Sequence, residues 1–417
     1  MKFRDFHRNI KIRILESFLS SSVGSMIFPF MAIYLSYHFG AKLTGILLLV
    51  NVFIGIGVTF IGGYFSDQYG RKKIILLAEI LRFVAFFIMM LSNSPWLQLP
   101  LLTFFMMTLN SVCWGLAGPA NQAMLIDVST PDQRKLMYSI TYWANNVSIA
   151  IGGILGAFLF KDYLFELFLA LTTVTGVIVF MIIFFIEESY KPTIVKRKAT
   201  EHVTLLFKGY QSVWQDRLFV LYVLAGVCIL SMEFQLTNYT GIRLSETMPT
   251  QSFLGLEIDG VKMMGYLRSE NTILVAIIAL FAVKLTSNMN DRFVLVASCL
   301  TFTIGYGFIS YSNNILLLVI MMAVLTIGEV TRVPVEQSYI ANIPPYDARS
   351  SYMAFNGLKF NLAMLISAIT VFLGAYLSTL TMSILITMVG LTGTFIYFII
   401  LPLLDKRSVI TTEKKLA

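Results

Sequence analysis

The chain has 417 residues; 57% of them, about 238, are hydrophobic and only 13% carry a full charge. An ordinary soluble domain has about 25% charged residues, so a soluble globular enzyme, a disordered chain and a disulfide-stapled domain are excluded. The net charge of +8 and mean hydropathy of +0.77 then point to a membrane protein with Lys and Arg gathered in cytoplasmic loops, rather than to nucleic-acid binding.

A bilayer crossing takes about 20 apolar residues. Twelve apolar runs can be drawn, at 14–37, 43–64, 73–92, 99–125, 137–160, 163–186, 218–243, 269–286, 293–312, 315–341, 353–377 and 381–404. They are long and continuous rather than alternating, so they read as helices and not as barrel strands. The basic start (Lys2, Arg4, Arg8, Lys11, Arg13) runs straight into the first of them without a cleavage site, and reads as a retained N-terminus. With that terminus cytoplasmic, Lys and Arg divide 23 to 4 in favour of the cytoplasmic segments, so both termini are expected there. The expected organisation is a six-helix bundle (1–186), a basic cytoplasmic linker (187–217) facing lipid headgroups, a second bundle (218–404) and a cytoplasmic tail (405–417).

Several features stand out along the chain. Phe28 and Phe30 fall in the first span. The loop after the second span reads Gly63-Tyr-Phe-Ser-Asp67-Gln-Tyr-Gly70-Arg71-Lys72-Lys73. Its glycines permit a tight turn. Asp67, an acid among bases, can pair with an Arg or with a helix N-terminus and so hold one conformation; an ordinary basic loop is the plain alternative. Glu79 and Arg82, three residues apart, read as a structural ion pair near the membrane surface, and Trp114 lies in the fourth span. The fifth span carries Gly152, Gly153 and Gly156, a spacing that lets two helices touch backbone to backbone. Cys113, Cys228 and Cys299 all lie in apolar runs and read as small buried hydrophobes, not as disulfides.

In the second half, Glu233 sits in the seventh span beside Phe234, with Tyr239 further on. Residues 244–268 read as an external loop. The tenth span carries Glu329, Arg332 and Glu336 at i, i+3 and i+7, on one helix face. Ionisable groups inside a membrane are costly and are functional candidates by default. Glu16 and Lys359, near span ends, read as snorkelling groups. Glu336 reads equally as a coupling group or as a structural partner of Arg332. Glu329 and Glu233 are harder to explain structurally. Burial disfavours the charged form of a carboxylate, and such a group can take a proton from one side and release it to the other.

The halves are related. At a constant offset of 215, Pro119 aligns with Pro334, Gln122 with Gln337, Asp132 with Asp347 and Arg134 with Arg349, while Asp127 meets Asn342. A fixed offset near half the chain marks parallel six-span repeats. The Asp of each turn is expected to cap the following helix, and the Arg to bond a carboxylate or a helix C-terminus.

The 63–73 loop resembles the signature G-x-L-a-D-r-x-G-r-[KR] of the major facilitator superfamily. Gly63, Asp67, Gly70, Arg71 and Lys72 fit; Phe65 and Gln68 depart from it, and the second-half counterpart near Asn290-Asp291-Arg292 is badly degraded. With twelve spans and a parallel repeat, the resemblance covers the whole chain. It implies an all-α membrane protein of two pseudo-symmetric six-helix bundles, with a conformational latch to which Asp127 and Arg134 also contribute. Gly152-Gly153-Ile-Leu-Gly156-Ala157 looks like a degenerate copy of the G-P-x-x-G-G motif of drug:proton antiporters. The stretch from Gly328-Glu329 to Gln337 resembles the bacterial 12-span multidrug:proton antiporters of the group containing LmrP.

These readings converge on a proton-coupled exporter of amphipathic or cationic compounds in the bacterial cell membrane, working by alternating access. Glu233, Glu329, Glu336 and Arg332 are the coupling candidates. Phe28, Trp114, Phe234 and Tyr239 are the candidate cavity wall, an apolar pocket with acids that suits lipophilic cations. The expected partners are a small-molecule substrate and membrane lipid, with no nucleic acid, the chain acting as a monomer. The proton gradient is the expected driving force, with no cofactor, metal or catalytic constellation. A dedicated exporter of a metallophore, peptide or lipid, a proton-coupled importer, and a non-transporting receptor are the rivals.

Overall fold

The computed structural model describes residues 6–189, 213–253, 255–286, 289–343 and 349–416. The chain divides into two compact units, Met1–Val203 and Thr204–Ala417.

In the first unit, α1 (Arg8–Ile27) passes through a 3-10 turn, Phe28–Phe30, into α2 (Met31–Tyr69). Pro29 sits where its missing N–H costs least. Gly40, at φ 75° and ψ 158°, breaks α2 and separates the first crossing from the second. Gly70, at φ 98°, ends α2 and starts α3 (Arg71–Leu91). A two-residue hairpin, β1 (Asn93–Ser94) with β2 (Leu97–Gln98), leads to α4 (Pro100–Asp127), α5 (Pro131–Leu159) and α6 (Leu164–Phe185). The α5 N-cap is Thr130, in a capping box with Gln133, whose side chain accepts from the Thr130 N–H at 3.2 Å. Asp132, the expected cap, is one residue inside the helix instead. Its counterpart Asp347 lies outside the described residues. The core joins Ile74 and Ile75 of α3 to Met124 of α4 and Ile178 and Ile182 of α6.

The second unit opens with α7 (Arg217–Glu233) and α8 (Tyr239–Thr247). The single seventh span expected at 218–243 is thus interrupted at 234–238. A hairpin, β3 (Gln251–Phe253) with β4 (Leu256–Ile258), precedes α9 (Gly260–Thr286), α10 (Asp291–Tyr311), α11 (Ile315–Asn342), α12 (Arg349–Gly374) and α13 (Thr379–Leu416). The eighth span starts nine residues earlier than expected, because the Asp259 carboxylate accepts the Lys262 N–H at 2.9 Å and nucleates the helix there. Lys262 and Arg268 are therefore helical, and the external loop shrinks to the hairpin and its flanks. The tail from 405 continues α13.

Among the described residues eight helical stretches are long and apolar enough to cross a membrane, the first of them holding two crossings divided at Gly40. With α5, the α7–α8 pair and α9, the element order is that of twelve spans in an all-α membrane protein. Pro119 of α4 and Pro334 of α11 occupy matching positions inside their helices.

Candidate functional site

The acids of the second unit gather on α7 and α11. Glu336 is 3% exposed and lies between two cations. Arg332 Nη1 donates to its Oε2 at 2.7 Å from one turn earlier, and Lys359 Nζ of α12 reaches Oε1. The Arg332 guanidinium also lies over the Phe302 ring at 5.2 Å. Lys359 therefore points into the unit to meet Glu336, rather than snorkelling. Glu329, two turns before Glu336, is held differently. Its Oε2 accepts from the Asn271 amide of α9 at 2.8 Å, and the same amide lies 3.0 Å from Thr326 Oγ1. Glu233 ends α7 at the helix break with its side chain exposed, and Glu329, Arg332, Arg268 and Glu336 are the charges acting on it. The four coupling candidates thus form one electrostatic cluster, joined by Arg268, which had been expected in a loop.

The break in the seventh span is tied to α12. Asn238 Nδ2 bonds the Phe234 carbonyl and Ser367 Oγ, both at 3.0 Å, and Thr370 Oγ1 donates to Gln235 Oε1 at 2.7 Å. Asn238 and Ser367 thereby satisfy the Phe234 carbonyl, which an unbroken helix would bond internally. Phe234 meets Phe360 edge to face at 5.1 Å. Tyr239, expected on the cavity wall, is 6% exposed and closes over Gly374; it packs the helix junction.

The first unit has a charged cavity of about 220 Å³ that the sequence reading did not anticipate. Glu16 pairs with Arg13, and Glu79 with Arg82 at 2.7 Å; Glu16 and Glu79 are 4% and 2% exposed. Arg82 also donates to Asn110 Oδ1 at 3.0 Å and Ser20 Oγ at 3.2 Å, and lies 5.4 Å from the Trp114 and Phe86 rings. Both acids lie inside the unit, where partners on α1, α3 and α4 meet their charge. Phe28 contacts Phe86 at 5.9 Å. Gly152 and Gly156 let α5 approach α1: a Cβ at Gly156 would stand 2.6 Å from the Met26 carbonyl oxygen. Gly153 is buried beside them.

At the loop after α2, Arg71 Nη1 bonds Ser66 Oγ at 2.9 Å and Arg71 Nε faces Asp127 at 3.5 Å. The central contact is Glu188. Its carboxylate accepts the Arg71 N–H at 3.0 Å and the Lys72 N–H at 3.1 Å, occupying the N-terminus of α3. Lys72 Nζ donates to the Ile183 carbonyl at 3.0 Å, Ser189 Oγ bonds Asp127 at 3.2 Å, and the Asn9 amide bonds the Glu187 carbonyl at 2.9 Å. The first residues of the expected linker are thus fastened to α1, α3 and α4. Gly63 lies on α2, and the side chains of Asp67 and Arg134 lie outside the described residues. In the second unit the degraded counterpart keeps an ion pair: Arg292 meets Asp405 of α13, which also accepts from Tyr339 at 2.9 Å. Lys196-Arg197-Lys198 lies outside the described residues. Among those described, no group of three or more His, Cys, Asp or Glu could hold a metal ion.

A sequence profile described as Major Facilitator Superfamily matches residues 15–269. A protein of Planococcus maritimus named Na(+), Li(+), K(+)/H(+) antiporter is 30% identical over 98% of this chain and 99% of its own. The multidrug resistance protein MdtH of Blochmanniella floridana is 27% identical over 81% of this chain and 79% of its own. In fold, the chain is similar to the crystal structure of a POT family transporter in complex with 5-aminolevulinic acid, with a TM-score of 0.75 at 14% identity, covering 97% of this chain and 98% of that one.

Proposed function

Because the chain belongs to the major facilitator superfamily, we propose that it is a proton-coupled secondary transporter that exports amphipathic or cationic compounds across the bacterial cytoplasmic membrane. Both termini are cytoplasmic in this reading, and the two six-span halves move in alternation around the transported molecule. The single observation that carries the proposal is the difference between two carboxylates two turns apart on one helix face. Glu336 is neutralised by Arg332 and Lys359 in direct ion pairs, whereas among the described residues Glu329 takes its hydrogen bond from a neutral amide and feels Arg332 without a salt bridge to it. A carboxylate with a neutral hydrogen-bond partner can exchange a proton for a cation without first breaking an ion pair. Glu233, exposed at the helix break, adds a second negative group to the same cluster. The likeness to MdtH and to the group containing LmrP supports a broad substrate range.

A second reading is exchange of alkali cations for protons, favoured by the name of the Planococcus maritimus relative. The Glu329 carboxylate and Thr326 hydroxyl beside Asn271 offer the oxygen donors that small hard cations prefer. The two readings use the same acids and separate on cation size. In everted vesicles with a respiration-driven proton gradient, a panel of Na+, Li+, K+, ethidium and tetraphenylphosphonium would be added in turn. Collapse of the gradient by ethidium and tetraphenylphosphonium supports the first reading, and collapse by alkali cations alone supports the second. Glu329→Gln at unchanged expression should abolish either response, and a wild-type response in that variant would refute the assignment.

A further inference from the structure

A pocket of about 400 Å³ lies in the second unit where the β3–β4 hairpin covers the first turns of α9 and α11. Its wall is apolar: Phe253 and Ile258 of the hairpin, Met263 and Tyr266 of α9, Ile315 and Val319 of α11. The one charged side chain in it is Glu270. Among the described residues Glu270 has neither an ion pair nor a hydrogen bond, and no charged neighbour acts on it. The nearest basic residues along the helix are engaged elsewhere. Lys262 Nζ donates to the Glu257 carbonyl at 2.9 Å, and the charge facing Arg268 is Glu233. Positions i and i+2 point to different sides of a helix, which places Glu270 away from the cluster that Arg268 joins.

Glu270 also continues onto an apolar stripe. Ile273 and Ile277, at i+3 and i+7, are 44% and 53% exposed. The pocket therefore opens beside an exposed apolar surface. It lies at the start of both helices. Its volume falls in the range of about 300–1,000 Å³ that accommodates small organic ligands. An isolated ionised carboxylate in such a wall is costly, and either a proton or a cation relieves that cost.

We propose that this pocket is a binding site for a lipophilic monocation, with the Glu270 carboxylate as counter-ion and the hairpin as roof. It is separate from the Glu233–Glu329 cluster and does not require the transport cycle proposed above. An acid, a doubly charged cation or a compact hydrated ion fits it poorly, since there is one negative charge and few polar groups around it.

The test is photolabelling of the purified full-length protein in lipid nanodiscs with azido-ethidium, followed by peptide mapping. Label should appear on peptides spanning 253–270 or 315–319. Tetraphenylphosphonium should displace it, and tetraphenylborate, of the same shape and opposite charge, should not. Glu270→Gln should lower the label at least tenfold. Val319→Phe, which keeps the acid and fills the space, should do the same, and serves if Glu270→Gln does not fold as judged by gel filtration. Glu329→Gln should keep this label. Absence of label from these peptides, equal displacement by the borate, or undiminished label in well-folded Glu270→Gln and Val319→Phe would overturn the inference. Label that vanishes only in Glu329→Gln would place the cation at the acid cluster alone, overturning this site and leaving the proposed function standing.

Discussion

Replacing Glu336 by Gln keeps the side-chain volume and removes the one negative charge between Arg332 and Lys359. Arg332 is 3% exposed, so it would be left in the interior without its ion-pair partner. Removing one partner of a buried ion pair costs about 3–5 kcal/mol. Lys359→Met is milder, because Arg332 still balances Glu336; one charge-assisted hydrogen bond is lost, about 1.5–3 kcal/mol. The double variant Glu336→Gln/Lys359→Met removes one charge of each sign and leaves Arg332 as the one cation that has lost its ion pair. Its cost should fall below the sum of the single costs by about 0.5–3 kcal/mol, the coupling range of residues in contact. The assay is denaturant and thermal unfolding of the four proteins in nanodiscs. Glu336→Gln as stable as the wild type, or strict additivity, would refute the reading of Glu336 as a structural counter-ion and return it to the coupling candidates.

Other outcomes follow from single contacts. Arg243 is buried and donates to Asn313 Oδ1 at 2.5 Å and to the carbonyls of Tyr311, Ile309 and Ser312 at 3.2, 3.1 and 2.8 Å, closing the C-terminus of α10. Arg243→Met should destabilise by at least about 1.5–3 kcal/mol, since at least one buried carbonyl loses a charged donor; an unfolding midpoint unchanged from wild type would contradict this. Gly156→Val would drive a Cβ against Met26 and Phe30, costing at least about 1–3 kcal/mol by overpacking. Cross-linking of cysteines placed on α1 and α5 should weaken in that variant. Glu188→Gln should cost about 1 kcal/mol, as loss of a helix cap does. It should also raise amide exchange at Arg71 and Lys72, and unchanged protection there would count against Glu188 as the α3 cap.

Much of the fold was legible because it follows from local composition. Continuous apolar runs place the helices, and Pro119 and Pro334 mark the repeat. The losses come from contacts distant in sequence. The break at 234–238 contains neither Gly nor Pro; it is stabilised by Ser367 and Thr370, more than a hundred residues away. The early start of α9 was hidden because Lys262 and Arg268 lower the local hydropathy. Glu188 reads in sequence as part of a tether, whereas its carboxylate sits at the start of α3. The Arg292–Asp405 pair shows that a degraded motif can keep its contact when the partner comes from another helix. Acids along α11 were legible as candidates, but their division of labour depends on Lys359 and Asn271, which no local pattern connects to them.

The most direct test of the central claim is proton flux through purified protein in liposomes, with the membrane potential clamped and an internal pH dye. Adding the transported cation identified in vesicles should drive proton movement in the opposite direction, saturably, in the wild type. Glu329→Gln should move no protons when that cation is added, while Glu270→Gln should still exchange the two. Proton movement in Glu329→Gln equal to wild type, or cation flux that leaves the internal pH unchanged, would contradict the account.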